Sequence, residues 1–369
     1  MQTQTQTLSR RPATLTKNRL PRYAVWVVLA AALILGAALS ALIGFGIASF
    51  TIFTAVIFVL GATALTGIVE GQRRAADRLA TYLICGSFLL ALVPLVSVIF
   101  TVLSKGLAGL SPDFLFTSMG GMTGAVDNNS VETGGPVLGG AYHGIVGTLL
   151  ITLWATIISV PIGLLTAVYL VEYSNGGPLS RAITFFVDVM TGIPSIVAGL
   201  FAAAFFALVF GPGVRTGFVA AVALSVLMIP VVVRSTEEML KIVPNELREA
   251  AYALGVRKWR TILKVVVPTA ISGIASGVTL AIARVIGETA PLLVTAGFVN
   301  TINMNVFAGW MTTLPTYIYR QLMSPTSPTN TDPSTQRAWA AALLLIIMVM
   351  LLNLGARLIA RLFAPKTGR

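Results

Sequence analysis

Residues 244–268 read Pro-Asn-Glu-Leu-Arg-Glu-Ala-Ala-Tyr-Ala-Leu-Gly-Val-Arg-Lys-Trp-Arg-Thr-Ile-Leu-Lys-Val-Val-Val-Pro, a charged island between apolar runs at 217–233 and 269–297. Pro244 suits the start of a helix, because its missing N–H is one the first turn leaves unpaired anyway. Ala250, Ala251, Ala253 and Leu254 keep that helix thin and favour it. Gly255 permits a left-handed exit, and Arg257, Lys258 and Trp259 open a second helical stretch. The expectation is a short, small-faced helix held beneath a membrane.

Working outward, only 10% of the 369 residues are charged against 56% hydrophobic, and the mean hydropathy is +0.87. A soluble domain carries about 25% charged residues. The apolar residues form runs of roughly 20, the length that crosses a bilayer as a helix. Eight spans are predicted, at 24–43, 47–69, 79–103, 141–171, 183–210, 217–233, 269–297 and 338–363. The apolar stretch from Tyr23 to Val69 is too long for a cleaved signal peptide, and Gly44 and Gly46 offer a turn near its middle. Residues 1–22 read as a polar, basic tail, and Arg73, Arg74 and Arg78 mark a short loop before the third span.

The net charge of +12 follows the positive-inside pattern. Of 25 Lys and Arg, 20 fall on one side of these spans and four on the other, with Arg284 inside a span, which places both termini in the cytoplasm. No basic stripe with interleaved aromatics appears, so nucleic acid is not an expected partner. Cys85 and His143 are the only residues of their kinds. An intrachain disulfide or a Cys-based metal site is thereby excluded, and His143 reads as an interfacial residue at the start of a span. The segments 104–140 and 298–337, rich in Gly, Pro, Asn, Ser and Thr, read as exterior loops, the Gly-rich part of the first as flexible.

The island then matches a family. Glu249, Ala250 and Ala251, three residues, Gly255, nine residues, Val265, one residue, Val267 and Pro268 resemble the EAA loop of ABC importer permeases. Val265 and Val267 stand where that pattern has Ile and Leu, which keeps the apolar, branched character. The resemblance implies an all-α polytopic membrane protein with the transmembrane fold of type I ABC importers. Six core spans would lie in 71–369, with the loop at 234–268, and the hairpin at 23–70 would be additional. It further implies that Glu249, Ala250, Ala251, Gly255 and Pro268 belong to a coupling helix seated on a separate ATPase subunit. No G-x-x-x-x-G-K-[ST] phosphate loop is present, so ATP and Mg would be bound by that partner and this chain is not itself expected to be an enzyme.

A second cluster points to the substrate. Ala-Arg-Val-Ile-Gly-Glu-Thr-Ala-Pro-Leu-Leu occupies 283–293 and Thr-Gly-Ile-Pro-Ser-Ile-Val-Ala-Gly-Leu-Phe occupies 191–201, both inside predicted spans. They resemble PstA-type phosphate permeases. That resemblance, over roughly 79–369, implies a PstC-type sister subunit, two ATPase copies and an extracytoplasmic phosphate-binding protein as partners. A charged residue at the centre of a span costs about 2.5–3.5 kcal/mol on insertion scales, so Arg284 and Glu288 are expected to line a polar path or to pair across one helical face. Pro291 is expected to kink this span, and Gly192 and Pro194 to do the same in another. The guanidinium of Arg284 suits an oxyanion, with Glu288 and Thr289 beside it. Arg234 resembles a further family position on the path, although any topogenic Arg would lie there too. A permease for another oxyanion, the sister subunit and a stand-alone transporter remain as alternatives at this point.

Overall fold

Inside a bilayer each crossing segment must satisfy its own backbone hydrogen bonds, which is why long apolar runs fold as helices. The computed structural model describes residues 20, 21, 23–174 and 176–363, and every regular element among them is helical. The tail expected over 1–22 lies almost wholly outside the described residues. The chain divides into two compact units, Met1–Ile99 and Phe100–Arg369.

The first unit holds α1 (Ala24–Ile43), α2 (Ile47–Glu70) and most of α3 (Gln72–Gly109). The turn between α1 and α2 falls at Gly44–Gly46, as expected. Gly36 lets the two helices touch, since a Cβ there would lie 2.9 Å from the backbone nitrogen of Thr54. The loop expected at 70–78 is helical except at Gly71, whose φ is 96°. Its charges sit on helix ends instead: the buried Glu70 carboxylate accepts from the Leu20 N–H at 2.7 Å and from Arg78 at 3.2 Å.

The second unit continues with α4 (Pro112–Phe116), α5 (Gly124–Thr133), α6 (Tyr142–Val168), α7 (Pro178–Thr191), α8 (Ser195–Phe210), α9 (Gly217–Ile242) and α10 (Asn245–Ala253). After these come α11 (Lys258–Thr261), α12 (Val267–Ile286), α13 (Ala290–Thr295), α14 (Leu314–Met323) and α15 (Asp332–Phe363). A π turn at Tyr169–Tyr173 extends α6, and another at Ile262–Val266 joins α11 to α12 in one rod, Lys258–Ile286. Helix α9 is the buried axis. Its Ala220, Ala221, Leu224, Met228 and Val232 pack with Ile151 and Ala155 of α6 and with Ala281 and Val285 of α12. Small residues allow this closeness where apolar burial adds little drive between helices; a Cβ on Gly163 would meet the Val232 side chain at 2.6 Å.

Among the described residues seven helices are long and apolar enough to span a membrane, and eight spans result if α7 and α8 count as one. The run at 183–210 bends by 110° between α7 and α8, at Gly192 and Pro194 as expected. Two span readings need correction. The run at 217–233 extends to Ile242, because Arg234, Glu237 and Lys241 pair along the helix and let it continue past its apolar part. The run at 269–297 breaks at Gly287–Thr289, with Pro291 in the first turn of α13 rather than inside a kinked helix.

The Gly-rich stretch expected as a flexible loop instead holds α5, whose Asp127 forms a buried ion pair with Arg337. Arg337 and Asp127 are each 1% exposed, and Arg337 also donates to the Leu138 carbonyl and to the hydroxyls of Thr326 and Ser334. His143 stands at the start of α6 as expected, and it is 2% exposed, edge-on to Tyr317 at 5.3 Å between ring centroids. Burial pushes the Tyr317 phenol above its ordinary range, with the nearby Arg337 opposing the shift, so it stays protonated.

Candidate functional site

Helix α12 presents one face that no described element covers. Thr269, Ser272, Ser276, Leu280 and Arg284 recur on it at intervals of three or four residues, and all are exposed. Ser276 Oγ donates back to the Ser272 carbonyl at 2.9 Å and Thr269 Oγ1 to that of Val265 at 2.6 Å. The hydroxyls thereby find hydrogen-bond acceptors within the helix while the face stays polar.

Arg284 and Glu288 do not form the pair that their spacing suggested. The helix ends at Ile286, Gly287 closes it, and the Glu288 N–H bonds the Val285 carbonyl at 3.1 Å, so Glu288 and Thr289 lie in the break. Among the described residues neither Arg284 nor Glu288 has an ion-pair partner.

The break is braced from α8. A Cβ on Gly199 would lie 2.5 Å from the Cα of Pro291, so α8 and α13 meet backbone to backbone. Gly192 and Pro194 lie in the bend that turns α8 towards this contact. Gly199→Ala is expected to force the two apart at about 1–3 kcal/mol, the usual cost of overpacking. The purified protein in lipid should lose several degrees of thermal midpoint, whereas Gly192→Ala, with no atom closer than 3.5 Å to its Cβ, should not.

Arg234 is already engaged. Its Nη1 donates to Glu237 Oε2 at 2.8 Å, its Nη2 donates to Asp188 of α7, and Lys241 Nζ donates to Glu237 Oε1 at 2.7 Å. Two cations and two carboxylates balance, so Arg234 ties α9 to α7 one turn before the bend. Asp188, Glu237 and Lys241 were not singled out from the sequence. Asp188 carried the stronger signal, an acidic residue inside an otherwise apolar predicted span.

Helix α10 starts after Pro244 and ends through Gly255 at φ 73°, as its residues suggested. What seats it was not foreseen. Arg248 donates to Glu172 Oε1 at 2.7 Å, to the Leu240 carbonyl at 3.0 Å and to the Val243 carbonyl at 2.6 Å. It thereby adds a donor to the carbonyls at the end of α9 and joins α10 to the π turn after α6. Ala251 is buried beneath, while Glu249, Ala250, Tyr252, Leu254 and Trp259 are exposed, Leu254 at 84%. Pro268 lies in the first turn of α12.

Residues 159–369 match the family model described as binding-protein-dependent transport system inner membrane component. The chain is 46% identical over 288 residues to the phosphate transport system permease protein PstA 1 of Mycobacterium tuberculosis (strain CDC 1551 / Oshkosh), covering 78% of this chain and 90% of that protein. It is 38% identical over 297 residues to the phosphate transport system permease protein PstA of Yersinia pestis, covering 80% and 93%. Among solved structures, an inward-facing form of the MetNI methionine ABC transporter is similar at a TM-score of 0.49 and 22% identity, covering 60% of this chain and 95% of that one. With a match over more than half its length and relatives above 30% identity across most of it, this chain belongs to the PstA phosphate transport permeases, within the binding-protein-dependent transport system inner membrane components.

Proposed function

We propose that this protein is one permease subunit of an ATP-driven phosphate importer, forming half of the translocation path with a related PstC-type subunit. The exposed polar face of α12 carries the reading. An Arg on a span costs about 2.5–3.5 kcal/mol towards lipid, so this face calls for a polar counterpart: a second permease subunit across from it, and the anion between them. Arg284 meets the phosphate, Glu288 and Thr289 sit beside it, and the paired Arg234 holds α7 against α9 at the other end of the path. The excess of Lys and Arg on one side puts α10 and both termini in the cytoplasm. There Glu249, Ala250, Ala251, Gly255 and Pro268 form the coupling segment against two ATPase copies, which bind the ATP and Mg, while a phosphate-binding protein delivers substrate to the opposite side.

The test is uptake of labelled phosphate into vesicles holding the assembled complex, with sulfate and molybdate as competitors. Phosphate accumulation resisting both competitors is expected; accumulation of another oxyanion in its place would overturn the substrate assignment. Gly255→Val should uncouple the complex, since a β-branched residue is strained at φ 73°. The expected result is phosphate-stimulated ATP turnover lowered about tenfold or more, the equivalent of roughly 1.4 kcal/mol of lost docking. Unchanged turnover would remove α10 from the coupling role.

A further inference from the structure

The end of α9 opposite α10 carries a cavity that none of the preceding assignments uses. Helix α9 is 26 residues long, so this end lies about 39 Å from the coupling helix at 1.5 Å per residue. The cavity has a volume of about 340 Å³, within the range of small-ligand sites. Arg215, Arg320, Trp310, Phe298, Tyr319 and Ser324 line it, with no carboxylate among the lining residues.

Both guanidinium groups are held by rings instead of by acids. Arg215 lies over Trp310 at 5.9 Å from the ring centroid, and Arg320 over Phe298 at 4.2 Å. Neither makes a hydrogen bond or ion pair to any described residue. A cation–π contact uses up none of the guanidinium's N–H donors in a hydrogen bond, so the fork remains available to a planar or tetrahedral oxyanion. The platform beneath them is fixed. Trp310 packs on Gly297, where a Cβ would meet the indole at 2.7 Å, and its carbonyl accepts from Asn303 Nδ2 at 3.0 Å. Beside Arg215, the Thr216 N–H bonds the Thr295 carbonyl at 3.1 Å, tying that arginine's backbone to the end of α13. Leu293 of α13 lies on the cavity wall, so the segment that leaves Arg284 leads directly to this chamber.

We propose that this cavity is an outer site for the transported oxyanion, where the edges of Arg215 and Arg320, assisted by the Tyr319 and Ser324 hydroxyls, hold phosphate before it reaches Arg284. The proposal rests on the phosphate-importer reading and adds a site to it. Stacked, unpaired arginines hold an anion without a carboxylate competing for them, in contrast to Arg234, and two of them offset the charge of a phosphate dianion. The other source of a matching anion is an acidic side chain of the docked binding protein, and the experiment separates the two.

The full complex in lipid, without binding protein, is titrated with radiolabelled inorganic phosphate by equilibrium dialysis, for wild type, Arg215→Gln with Arg320→Gln, and Arg215→Lys with Arg320→Lys. Phosphate binding at least tenfold weaker in the double Gln variant and intermediate in the double Lys variant is expected. In parallel, the affinity of fluorescently labelled binding protein for each complex is measured. Unchanged phosphate binding in the double Gln variant overturns the site. Loss of binding-protein affinity with phosphate binding intact also overturns it and makes the cluster a docking contact. If the wild-type complex transports no phosphate with binding protein present, the importer reading itself has failed, a result separate from either of these.

Discussion

Arg284→Gln is expected to abolish phosphate uptake while the protein inserts and assembles as before. The side chain is exposed and unpaired, so its removal strands no buried charge and opens no core cavity. What is lost is the fork of charge-assisted hydrogen bonds to the anion. Such bonds are worth about 1.5–3 kcal/mol each, so losing two of them lowers uptake by about 100-fold or more. Arg284→Lys keeps the charge without the planar geometry and should retain partial activity. The decisive variant is Arg284→Gln combined with Glu288→Gln. A structural ion pair would tolerate joint removal, but the chain breaks at Gly287 and no such pair forms, so the double variant should stay inactive. The measurement is phosphate uptake in cells lacking other phosphate importers, normalised to assembled complex. Recovery by the double variant would show that the two residues serve each other and not the anion.

The sequence carried the helical architecture well because its signals are long and repetitive. Runs of about 20 apolar residues need no knowledge of neighbours, and the Lys and Arg bias is summed over the whole chain. The turn of α10 was legible for a local reason: Pro244 and Gly255 each restrict the backbone at one residue. Several misreadings share one physical origin, a tertiary contact that outweighed the local pattern. The four-residue spacing of Arg284 and Glu288 reads as one face only if the helix continues, and contact with Gly199 fixes a break there instead. The stretch from Gly120 to Gly140 looked flexible because it is rich in Gly and its few apolar residues follow no period. Its order comes from Arg337, 210 residues away from Asp127 in sequence. Arg248 was overshadowed in the same way by the alanines beside it, although it is the residue that fastens α10 to the body.

The Arg337–Asp127 pair should give the largest stability effect in the protein. Arg337 Nη1 donates to Asp127 Oδ1 at 2.9 Å and to the Leu138 carbonyl at 2.7 Å, while Nη2 donates to Asp127 Oδ2 at 2.5 Å. The same Nη2 reaches Thr326 Oγ1 at 3.2 Å and Ser334 Oγ at 3.3 Å, so one guanidinium joins α5, α15 and the chain between them. Arg337→Met leaves the Asp127 carboxylate buried without a counter-charge. Breaking such a pair from one side costs about 3–5 kcal/mol, enough to unfold this end of the unit or to prevent assembly. Asp127→Asn keeps an acceptor for the guanidinium and should cost less, though it leaves a buried cation. Replacing both residues, as Asp127→Leu with Arg337→Met, removes the two desolvated charges together. Most of the lost stability should then return, because apolar residues of similar volume replace buried ion pairs at little cost. A residue of about 1 kcal/mol should persist, since the Leu138 carbonyl loses its donor in either background. Thermal midpoints of the purified complex in lipid give the order directly: wild type, then the double replacement, then Asp127→Asn, then Arg337→Met. If the double replacement is as unstable as Arg337→Met, stranded charge is not the cause. The stability would then lie in the contacts Arg337 makes to Leu138, Thr326 and Ser334, and Arg337 would act as a brace between segments more than as the partner of Asp127.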